Sequence, residues 1–370
     1  MRVLHVLEAA EGGAALSVRH LAEGQAQRGL TVALAVPVNR SWGRTDSQLP
    51  VYLSARGVEV LPLGMRRSPV HPANAAATLK LLRFARSWRP DVIHTHATTA
   101  GVLGRIAAAI QHTPSVHTYQ GARFADQGAG ASGVAGRLLE RLLRPLTGAV
   151  IAVSASEADV LRTVHAPERV ALVPNGIPTD DNPPAEFPDP PLVVSVCRFE
   201  YPKDPLLAVR VMAAARRSVP GSRALMIGYG RLEDEVHHLG AELDPGIEMR
   251  SDIPGPEAVA TASVVLLCTR REGGPYVPLE AMERSRPVVT TDVVGCRDVV
   301  ADGETGFLFP LGDVDQGAAA VARLLAEPST AARMGEAGRV RLTERFSLDS
   351  GVSRVIDLYG ELVDGRPSAS

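Results

Sequence analysis

Two carboxylates, Glu272 and Glu280, lie eight positions apart on either side of a glycine-rich turn. The apolar run from Val264 to Cys268 just before them is typical of a buried strand in a parallel sheet, so the turn should lie at a strand's carboxyl end, where open α/β sheets bind ligands. We expect a short helix to open at Leu279, with the amides of the preceding loop facing an anion. These groups suit a ligand that carries hydroxyls on both sides of a phosphate, as a nucleotide sugar does.

Two cations follow a second predicted strand, Leu192 to Cys197, where the chain enters a helix at Pro205. The guanidinium of Arg198 can grip two oxygens at once, and the ammonium of Lys203 adds a point charge, so the pair suits a diphosphate. In isolation, an arginine and a lysine near a turn are more often solvated surface charges, and two glutamates beside a turn more often solvated or helix-capping. Because the cations and the glutamates both follow predicted strands, we favour the interpretation that they bind a ligand together.

Seven residues separate Glu272 from Glu280, and Ala-Met follows Glu280. This pattern resembles the signature of the retaining GT-B glycosyltransferases of the family 4 type, also called glycosyl transferases group 1. The resemblance extends over nearly the whole chain. It implies an α/β fold of two facing Rossmann-like domains with parallel, doubly wound sheets, the donor in the second and the acceptor on the first. It also implies that Glu272 contacts the donor sugar and Glu280 the ribose.

The cationic segment is similar to the family's Gly-Arg-Leu motif followed by a lysine, whose two cations stabilise the leaving nucleotide in place of a metal. Arg198 and Lys203 are the matching residues, so no metal and no cofactor besides the nucleotide-sugar co-substrate is expected. Two departures are evident, because Cys197 and Asp204 stand where glycines are usual. The pocket for the nucleotide base should lie near 250–253. The family's usual glycine is missing there, so the sequence does not identify the base.

In the first half of the chain, Gly12 and Gly13 resemble the family's glycine pair near the donor phosphate, and His117 resembles the histidine directed at the donor sugar. Without a resemblance, a glycine pair after a strand is often a plain turn, and a histidine after a strand is often a packed loop residue. The absence of a Gly-x-Gly-x-x-Gly arrangement argues against a dehydrogenase. His94 and His96 could suggest a metal, but no carboxylate or cysteine stands beside them at ligand spacing, so we predict no metal site.

From the resemblance and from the places of these residues in the chain, we predict three sets of site residues. The catalytic set is His117, Arg198, Lys203 and Glu272. The donor-binding set is Gly12, Gly13, Arg198, Lys203, Glu272, Gly273, Gly274, Tyr276, Val277 and Glu280. The acceptor-binding set is His96, Tyr119 and Arg123.

The elements that must position these residues follow the alternation of strands and helices that indicates a doubly wound parallel sheet. Seven apolar runs precede a segment rich in proline and acidic residues, and five more follow it. We expect a first domain at 1–178, joined by a C-terminal helix at 349–370, a linker at 179–191 and a second domain at 192–348. The length of 370 residues fits two domains, each with its own core.

Composition limits the partners. The formal net charge of -2 provides no overall field for nucleic acid or an anionic bilayer. No run approaches a membrane span or a signal peptide, and three cysteines without ligand spacing indicate reduced thiols, so a cytoplasmic location is expected. Arg137 to Arg144 is basic and amphipathic; we expect its leucines in the core, and peripheral contact at the inner membrane face stays open as the alternative.

The function expected from these observations is transfer of a sugar from a UDP- or GDP-sugar to a hydroxyl acceptor, small, glycan or lipid-linked, with the anomeric configuration retained. It is a hexosyltransferase-type activity in polysaccharide, glycolipid or secondary-metabolite biosynthesis. Two alternatives remain: a sugar-nucleotide epimerase of similar fold, and a catalytically silent protein that only binds sugar nucleotides. The oligomeric state is not readable.

Overall fold

The first parallel sheet is built from the apolar runs of the first half of the chain. The computed structural model describes residues 1–37, 48–66, 68–121, 130–179 and 186–365. Seven strands form this sheet in the order β3-β2-β1-β4-β5-β6-β7. They are β1 (Arg2–Leu7), β2 (Thr31–Val36), β3 (Glu59–Pro62), β4 (Val92–His96), β5 (Ser115–Thr118), β6 (Ala149–Ala152) and β7 (Val170–Leu172).

Helices cover both faces of this sheet, and all strand pairs are parallel. The strands read as continuous apolar runs because helices bury them on both sides. The helices are α1 (Gly13–Gln27), α2 (Leu49–Ser54), α3 (Ala73–Trp88), α4 (Thr98–Gln111), α5 (Gly130–Leu143), α6 (Ala155–Leu161) and, from the end of the chain, α14 (Leu348–Val363).

The second sheet has six parallel strands in the order β10-β9-β8-β11-β12-β13. They are β8 (Leu192–Val196), β9 (Arg223–Ile227), β10 (Ile247–Arg250), β11 (Val264–Leu267), β12 (Val288–Thr291) and β13 (Gly306–Phe309). The sequence predicts five of them. It misses β10, an edge strand in which only Ile247 is buried, so that no continuous apolar run marks it.

The helices of the second sheet are α7 (Pro205–Ser218), α8 (Glu233–Leu243), α9 (Gly255–Ala260), α10 (Tyr276–Glu283), α11 (Cys296–Val299), α12 (Val314–Ala326) and α13 (Pro328–Arg345). A short 3-10 turn at Tyr201–Lys203 precedes α7. Helices α7 and α12 bury one face of the sheet in a core that includes Met212, Val321 and Leu324.

The chain separates into two compact units, one of Met1–Asn175 with Leu348–Ser370 and the other of Gly176–Ser347. Each unit carries one of the two sheets, and α14 packs on α1 within the first unit. Residues 186–191, which belong to the segment that the sequence predicts as a linker, group with the second unit, where the Arg286 guanidinium lies over the Phe187 ring at 4.6 Å. Among the described residues, no helix is both long and apolar enough to cross a membrane.

Candidate active site

Lys203 and Glu272 form an ion pair at the carboxyl edge of the second sheet. Lys203 ends the short turn after β8, and Glu272 lies in the loop after β11. The two residues meet because β8 and β11 are parallel neighbours, so the loops that follow them leave the sheet at the same edge. The lysine side chain is 25% exposed and the glutamate side chain 10%, so the pair is only partly shielded from water.

The two loops are also joined through their backbones. The Arg270 amide and the Thr269 hydroxyl both donate to the carbonyl of Pro202, at 3.0 and 2.8 Å. Asp204 accepts from the Arg270 guanidinium at 2.8 Å, and this guanidinium stacks on the Tyr201 ring at 4.5 Å. Arg198, at the start of the same loop, is exposed to solvent. The sheet edge therefore carries two cations, Arg198 and Lys203, on one loop that these hydrogen bonds hold to the loop after β11.

Glu280 lies in the second turn of α10, which begins three residues earlier than the sequence predicts. Pro278 is tolerated inside the helix because the first turn has no intrahelical acceptor for the amide that proline lacks. The Glu280 carboxyl is half-buried, and burial raises its pKa from 4.5 to about 7. No cation of the described residues offsets this effect, so the pKa of Glu280 lies near neutrality.

The turn between the two glutamates packs tightly against the segment after β12. A Cβ added at Gly295 would lie 2.7 Å from the Glu272 carbonyl oxygen, and the Glu272 amide donates to the carbonyl of Val294 at 3.2 Å. Gly295 has φ of +84°, so an L side chain would be both strained and obstructed there. This packing fixes the backbone through which Gly273 and Gly274 lead into α10.

Two glycines after β9 allow its turn to approach the cationic loop. A Cβ at Gly228 would lie 2.1 Å from the carbonyl oxygen of Cys197, and one at Gly230 would lie 2.4 Å from that of Phe199. The two glycines therefore allow the turn after β9 to pass close to the backbone of Cys197 and Phe199. At the end of β10, Arg250 pairs on the surface with Asp252 and with Glu248 of the same strand, in the region that the sequence assigns to the base pocket.

In the first unit, Gly12 is the residue before α1 and has φ of +80°. Gly12 and Gly13 are both exposed, at the carboxyl end of β1. Strand β4 lies next to β1 in the sheet and leads into α4. The Glu8 carboxylate caps the first turn of α4, where it accepts from the Thr99 amide at 2.7 Å. The strand order reverses between β1 and β4, so the glycine pair lies at the switch point of the sheet.

His117 is fully buried at the end of β5. Its Nδ1 lies 2.8 Å from the Thr95 hydroxyl, which also lies 3.2 Å from the Val116 carbonyl oxygen. If the hydroxyl donates to the carbonyl, His117 donates through Nδ1 and leaves Nε2 as an acceptor, and this Nε2 has no hydrogen-bond partner among the described residues. Burial, and then the charge of Arg105, hold the pKa of His117 well below its usual value, so the imidazole is neutral.

Three more histidines meet on the opposite face of this sheet. His5 from β1 lies 3.0 Å from His96 through Nδ1 and Nε2, and 2.9 Å from the Gln25 side chain. His94 contacts the Tyr359 hydroxyl at 2.5 Å and the Thr118 hydroxyl at 2.8 Å.

The three rings place one nitrogen each within 4.8 Å of one another, but hydrogen bonds occupy every ring nitrogen except His96 Nδ1. Burial lowers the pKa of all three, to about 4 for His5. The three histidines therefore form a neutral, hydrogen-bonded cluster, and the hydrogen bond between His94 and Tyr359 connects α14 to the sheet.

Comparison with known proteins decides the family. Residues 12–176 match the family described as glycosyl transferase 4-like domain, and residues 177–341 match glycosyl transferases group 1. The chain is 31% identical to the alpha-maltose-1-phosphate synthase of Mycolicibacterium smegmatis over 78% of its own length and 84% of the relative's. The chain belongs to the group 1 glycosyltransferases.

Other relatives of this glycosyltransferase agree. It is 27% identical to the D-inositol 3-phosphate glycosyltransferase of Acidothermus cellulolyticus, over 97% of this chain and 88% of that protein. The crystal structure of Anabaena HepE in complex with UDP and glucose superposes with a TM-score of 0.81 at 17% identity, over 98% of this chain and all of the other. The predicted GT-B class and the predicted enzyme class are confirmed; this is a transferase that uses nucleotide sugars.

Within the glycosyltransferase, the second unit brings six predicted residues to one sheet edge: Arg198, Lys203, Glu272, Gly273, Gly274 and Glu280. Tyr276 and Val277 open α10 beside them, with the Tyr276 side chain buried and Val277 half-buried. Their roles toward a donor stay predictions.

The predicted acceptor residues are placed differently. His96 is buried and bonded to His5, and the Tyr119 hydroxyl lies 2.8 Å from Nε2 of His165 and also donates to Glu140. Because both side chains are buried and hydrogen-bonded within the protein, His96 and Tyr119 are better placed to stabilise the sheet behind its carboxyl edge than to contact an acceptor directly. Arg123 lies outside the described residues.

Gln120 is a residue that the sequence interpretation did not select. It lies two residues after β5, its backbone has φ of +59°, and its side-chain nitrogen is shielded from solvent and has no protein hydrogen-bond partner among the described residues. Non-glycine residues rarely adopt this conformation, and such strain is concentrated at functional sites. No sequence signal marks it, because the strain depends on the strand-to-loop geometry.

The three cysteines are reduced and lie in the second unit. Burial raises the pKa of Cys197 and Cys296 to about 12, and that of Cys268 well above its usual value. Cys197 lies beside the cationic loop, where the nearby charge of Lys203 opposes the effect of burial only in part. These thiols are therefore poor nucleophiles at neutral pH.

Proposed function

We propose that this glycosyltransferase transfers a hexose from a UDP- or GDP-sugar to a hydroxyl acceptor with retention of the anomeric configuration. The observation that carries the donor assignment is the Lys203–Glu272 ion pair, with Arg198 and Glu280 at the same sheet edge. Two cations can hold a diphosphate, and two carboxylates can accept hydrogen bonds from sugar and ribose hydroxyls. The complex of HepE with UDP and glucose supports a uridine nucleotide as the first donor to test.

The cations supply the chemistry of bond cleavage. Negative charge builds on the diphosphate as the glycosidic bond breaks, so Arg198 and Lys203 bind the transition state more strongly than the ground state. In this proposal they take the place of a divalent metal ion. Glu272 orients the transferred sugar, while a phosphate oxygen of the leaving nucleotide accepts the proton of the attacking hydroxyl.

The first unit contributes the glycine pair and His117. Gly12 and Gly13 provide exposed backbone amides at the switch point, where a phosphate can approach closely. His117 offers a neutral Nε2 that can accept a hydrogen bond from a sugar hydroxyl. We add Gln120, whose amide nitrogen has no protein partner among the described residues and can donate to a sugar hydroxyl. The acceptor, which we propose to be a glycan, a lipid-linked sugar or a small metabolite, remains to be identified.

The experiment that tests this function is a screen of UDP- and GDP-hexoses against a panel of hydroxyl acceptors, with products followed by mass spectrometry and anomers assigned by NMR. An α-linked product from an α-linked donor, formed equally with EDTA and with magnesium, supports the proposal. Inhibition by EDTA that magnesium reverses would overturn the assignment of the cations.

Incubation with donor alone separates the alternatives. An epimerase converts the donor without an acceptor, whereas this proposal expects only slow hydrolysis. A silent binding protein binds the donor and neither transfers nor hydrolyses it across the whole acceptor panel.

A further inference from the structure

The turn that follows β5 holds a non-glycine residue in the left-handed region of backbone conformation. Gln120 has φ of +59°, and the next residue, Gly121, has φ of +100°. An L side chain disfavours this conformation, so it persists only where the surrounding structure enforces it. The contacts on the two sides of Gln120 therefore decide how its side-chain amide is presented.

Tyr119 fixes the chain on one side of Gln120. Its side chain is buried, and its hydroxyl donates to the Glu140 carboxylate and lies 2.8 Å from Nε2 of His165. The ring also packs edge-on against the His117 imidazole, with ring centroids 4.3 Å apart. The backbone that enters the turn is therefore held by a buried and hydrogen-bonded side chain.

Helix α5 supplies the Glu140 carboxylate. Arg105 donates to it from both terminal nitrogens, at 2.8 and 3.0 Å, and both side chains are almost fully buried. Leu143 of this helix is also buried, but Leu138 and Leu142 are exposed, so the sequence-based expectation that the leucines lie in the core is wrong for those two. The buried ion pair makes the carboxylate a fixed acceptor for the tyrosine hydroxyl.

Glu157, in the first turn of α6, fixes the chain on the other side of Gln120. The residue is buried, and one carboxylate oxygen accepts from the Gly121 amide at 2.8 Å while the other accepts from the Val153 amide at 2.9 Å. Val153 directly follows β6, which is a parallel neighbour of β5. The carboxylate therefore joins the ends of two neighbouring strands through two charge-assisted hydrogen bonds.

The spacing of Ser154 and Glu157 by itself suggests only a capping box, in which the glutamate bonds the amide of its own N-cap residue. Half of that motif is formed, because the Ser154 hydroxyl accepts from the Glu157 amide at 3.2 Å. The carboxylate oxygens, however, accept from amides that precede the N-cap, and the Gly121 amide is 36 residues away. The glutamate thus stabilises the turn after β5 as well as its own helix.

We propose that Glu157 is a positioning residue for the transfer reaction, which holds Gln120 in the conformation that presents its side-chain amide to a sugar hydroxyl. The Gln120 amide nitrogen is shielded from solvent and has no protein hydrogen-bond partner among the described residues, so an oxygen of a bound sugar would satisfy it. Without Glu157 the turn can relax to a more favourable backbone, and the amide would lose its orientation. The inference rests on the proposed function, because the sugar is the ligand.

The test is a double-mutant cycle on the turnover of the hexose donor that the screen identifies. Glu157→Gln keeps the size of the side chain but sets an NH2 group against one of the two amides, so kcat should fall at least about tenfold. Gln120→Ala should lower kcat by a similar factor. The double variant should be no slower than Gln120→Ala, because the glutamate acts through the glutamine. The affinity for UDP, which carries no hexose, should stay unchanged in all three variants.

Gly121→Ala disturbs the same turn with the Glu157 carboxylate in place. An alanine is strained at φ of +100°, so the amide should move away from the carboxylate and kcat should fall as in Glu157→Gln. Ser154→Ala is the matched control, because it removes a hydrogen bond at the start of α6 and leaves both carboxylate contacts in place. It should lower stability, as the loss of a helix cap does, and leave kcat unchanged.

A second cycle needs no donor. The folding equilibrium constant of Gln120→Gly should exceed that of Gln120→Ala about fivefold, because glycine adopts the left-handed conformation without strain. When Glu157→Gln is added to both proteins, this advantage should shrink below about twofold, because the turn can then relax. Urea unfolding of the four proteins measures the difference.

Each measurement has a result that would overturn the proposal. Multiplicative losses of kcat in the first cycle would show that Glu157 acts without Gln120, and an undiminished advantage of glycine in the second would show that Glu157 does not hold the turn. A loss of kcat in Ser154→Ala equal to that in Glu157→Gln would make Glu157 a structural residue of α6 alone. If the wild type transfers no hexose while the second cycle gives the expected coupling, the proposed function fails but the hold of Glu157 on Gln120 stands.

Discussion

The ammonium of Lys203 pairs with the carboxylate of Glu272 across 69 residues of sequence, at the edge where β8 and β11 end side by side. In the proposed reaction these two residues contact different parts of the donor, the lysine a phosphate and the glutamate a sugar hydroxyl. Without donor they neutralise each other. The lysine thereby keeps the glutamate oriented until a phosphate competes for the ammonium.

The first prediction concerns this pair. Lys203→Met should lower the free energy of unfolding by about 1–2 kcal/mol, because it leaves a largely buried carboxylate without its cation. Glu272→Gln with Lys203→Met should recover part of that loss. Urea unfolding of both single variants and the double variant gives the coupling free energy. A coupling of zero would show that the pair contributes nothing to stability.

Two further variants, Glu272→Ala and Arg198→Ala, separate binding from turnover. Glu272→Ala should mainly lower turnover and should not weaken binding of free UDP, because UDP lacks the sugar that Glu272 contacts and the variant leaves Lys203 free for a phosphate. Arg198→Ala should raise the activation free energy by about 3 kcal/mol, as expected for one charge-assisted contact in the transition state. Steady-state kinetics and calorimetry measure these effects, and a wild-type rate in Arg198→Ala would contradict the site.

The second prediction follows from the pKa of Glu280, which burial raises to about 7. In the proposed site the ionised carboxylate accepts hydrogen bonds from both ribose hydroxyls, so UDP affinity should rise up to about tenfold as the pH rises through 7. Glu280→Gln should bind UDP more weakly and should lack this rise. Because the phosphates of UDP titrate in both proteins, the difference between the two calorimetric pH profiles isolates the carboxyl group.

The same residue predicts a change in stability with pH. The folded-state pKa lies above the usual 4.5, so the contribution of the neutral carboxyl is complete below pH 4.5 and is lost as the pH rises through about 7. Relative to wild type, unliganded Glu280→Gln should therefore gain stability between these pH values. Urea unfolding across this range measures the gain, and parallel curves for the two proteins would contradict the raised pKa.

The third prediction concerns Asp204, which has φ of +36° and pairs with Arg270. Asp204→Ala loses the ion pair and keeps the unfavourable backbone, so it should cost about 2–3 kcal/mol of stability. Asp204→Gly loses the same ion pair but relieves the backbone, so it should cost about 1 kcal/mol less. Chemical unfolding of both variants distinguishes the terms, and equal losses would show that the left-handed conformation carries no strain.

How far the sequence predicts this molecule depends on the range of the interactions. The buried strands are readable because each is an apolar run, and β10 is missed because its edge position leaves only Ile247 buried. The start of α10 is placed too late because Pro278 suggests a boundary, although the first helical turn accepts proline.

Within the site, the residue types are readable but their partners are not. Pairing of Lys203 with Glu272 depends on which strands become neighbours, and so does the meeting of His5 with His94 and His96. The strained backbone of Gln120 depends on the loop that follows β5. None of these relationships leaves a local pattern in the sequence.

The last prediction tests His117 without changing it. A Cβ added at Gly101 of α4 would lie 2.5 Å from Cε1 of His117, so Gly101→Ala must displace the imidazole or the helix. If Nε2 accepts a hydrogen bond from the donor sugar, turnover should fall at least about tenfold, while UDP affinity stays unchanged. His117→Ala should show the same pattern.

Gly360→Ala in α14 is the matched control, because a Cβ there meets no atom within 4 Å. It introduces the same helical alanine and should leave turnover unchanged. Turnover near wild type in both Gly101→Ala and His117→Ala would assign His117 to the packed interior alone. In that case Gln120, which lies beyond the end of the strand and carries an amide nitrogen without a protein partner among the described residues, becomes the first-unit group to test against a sugar.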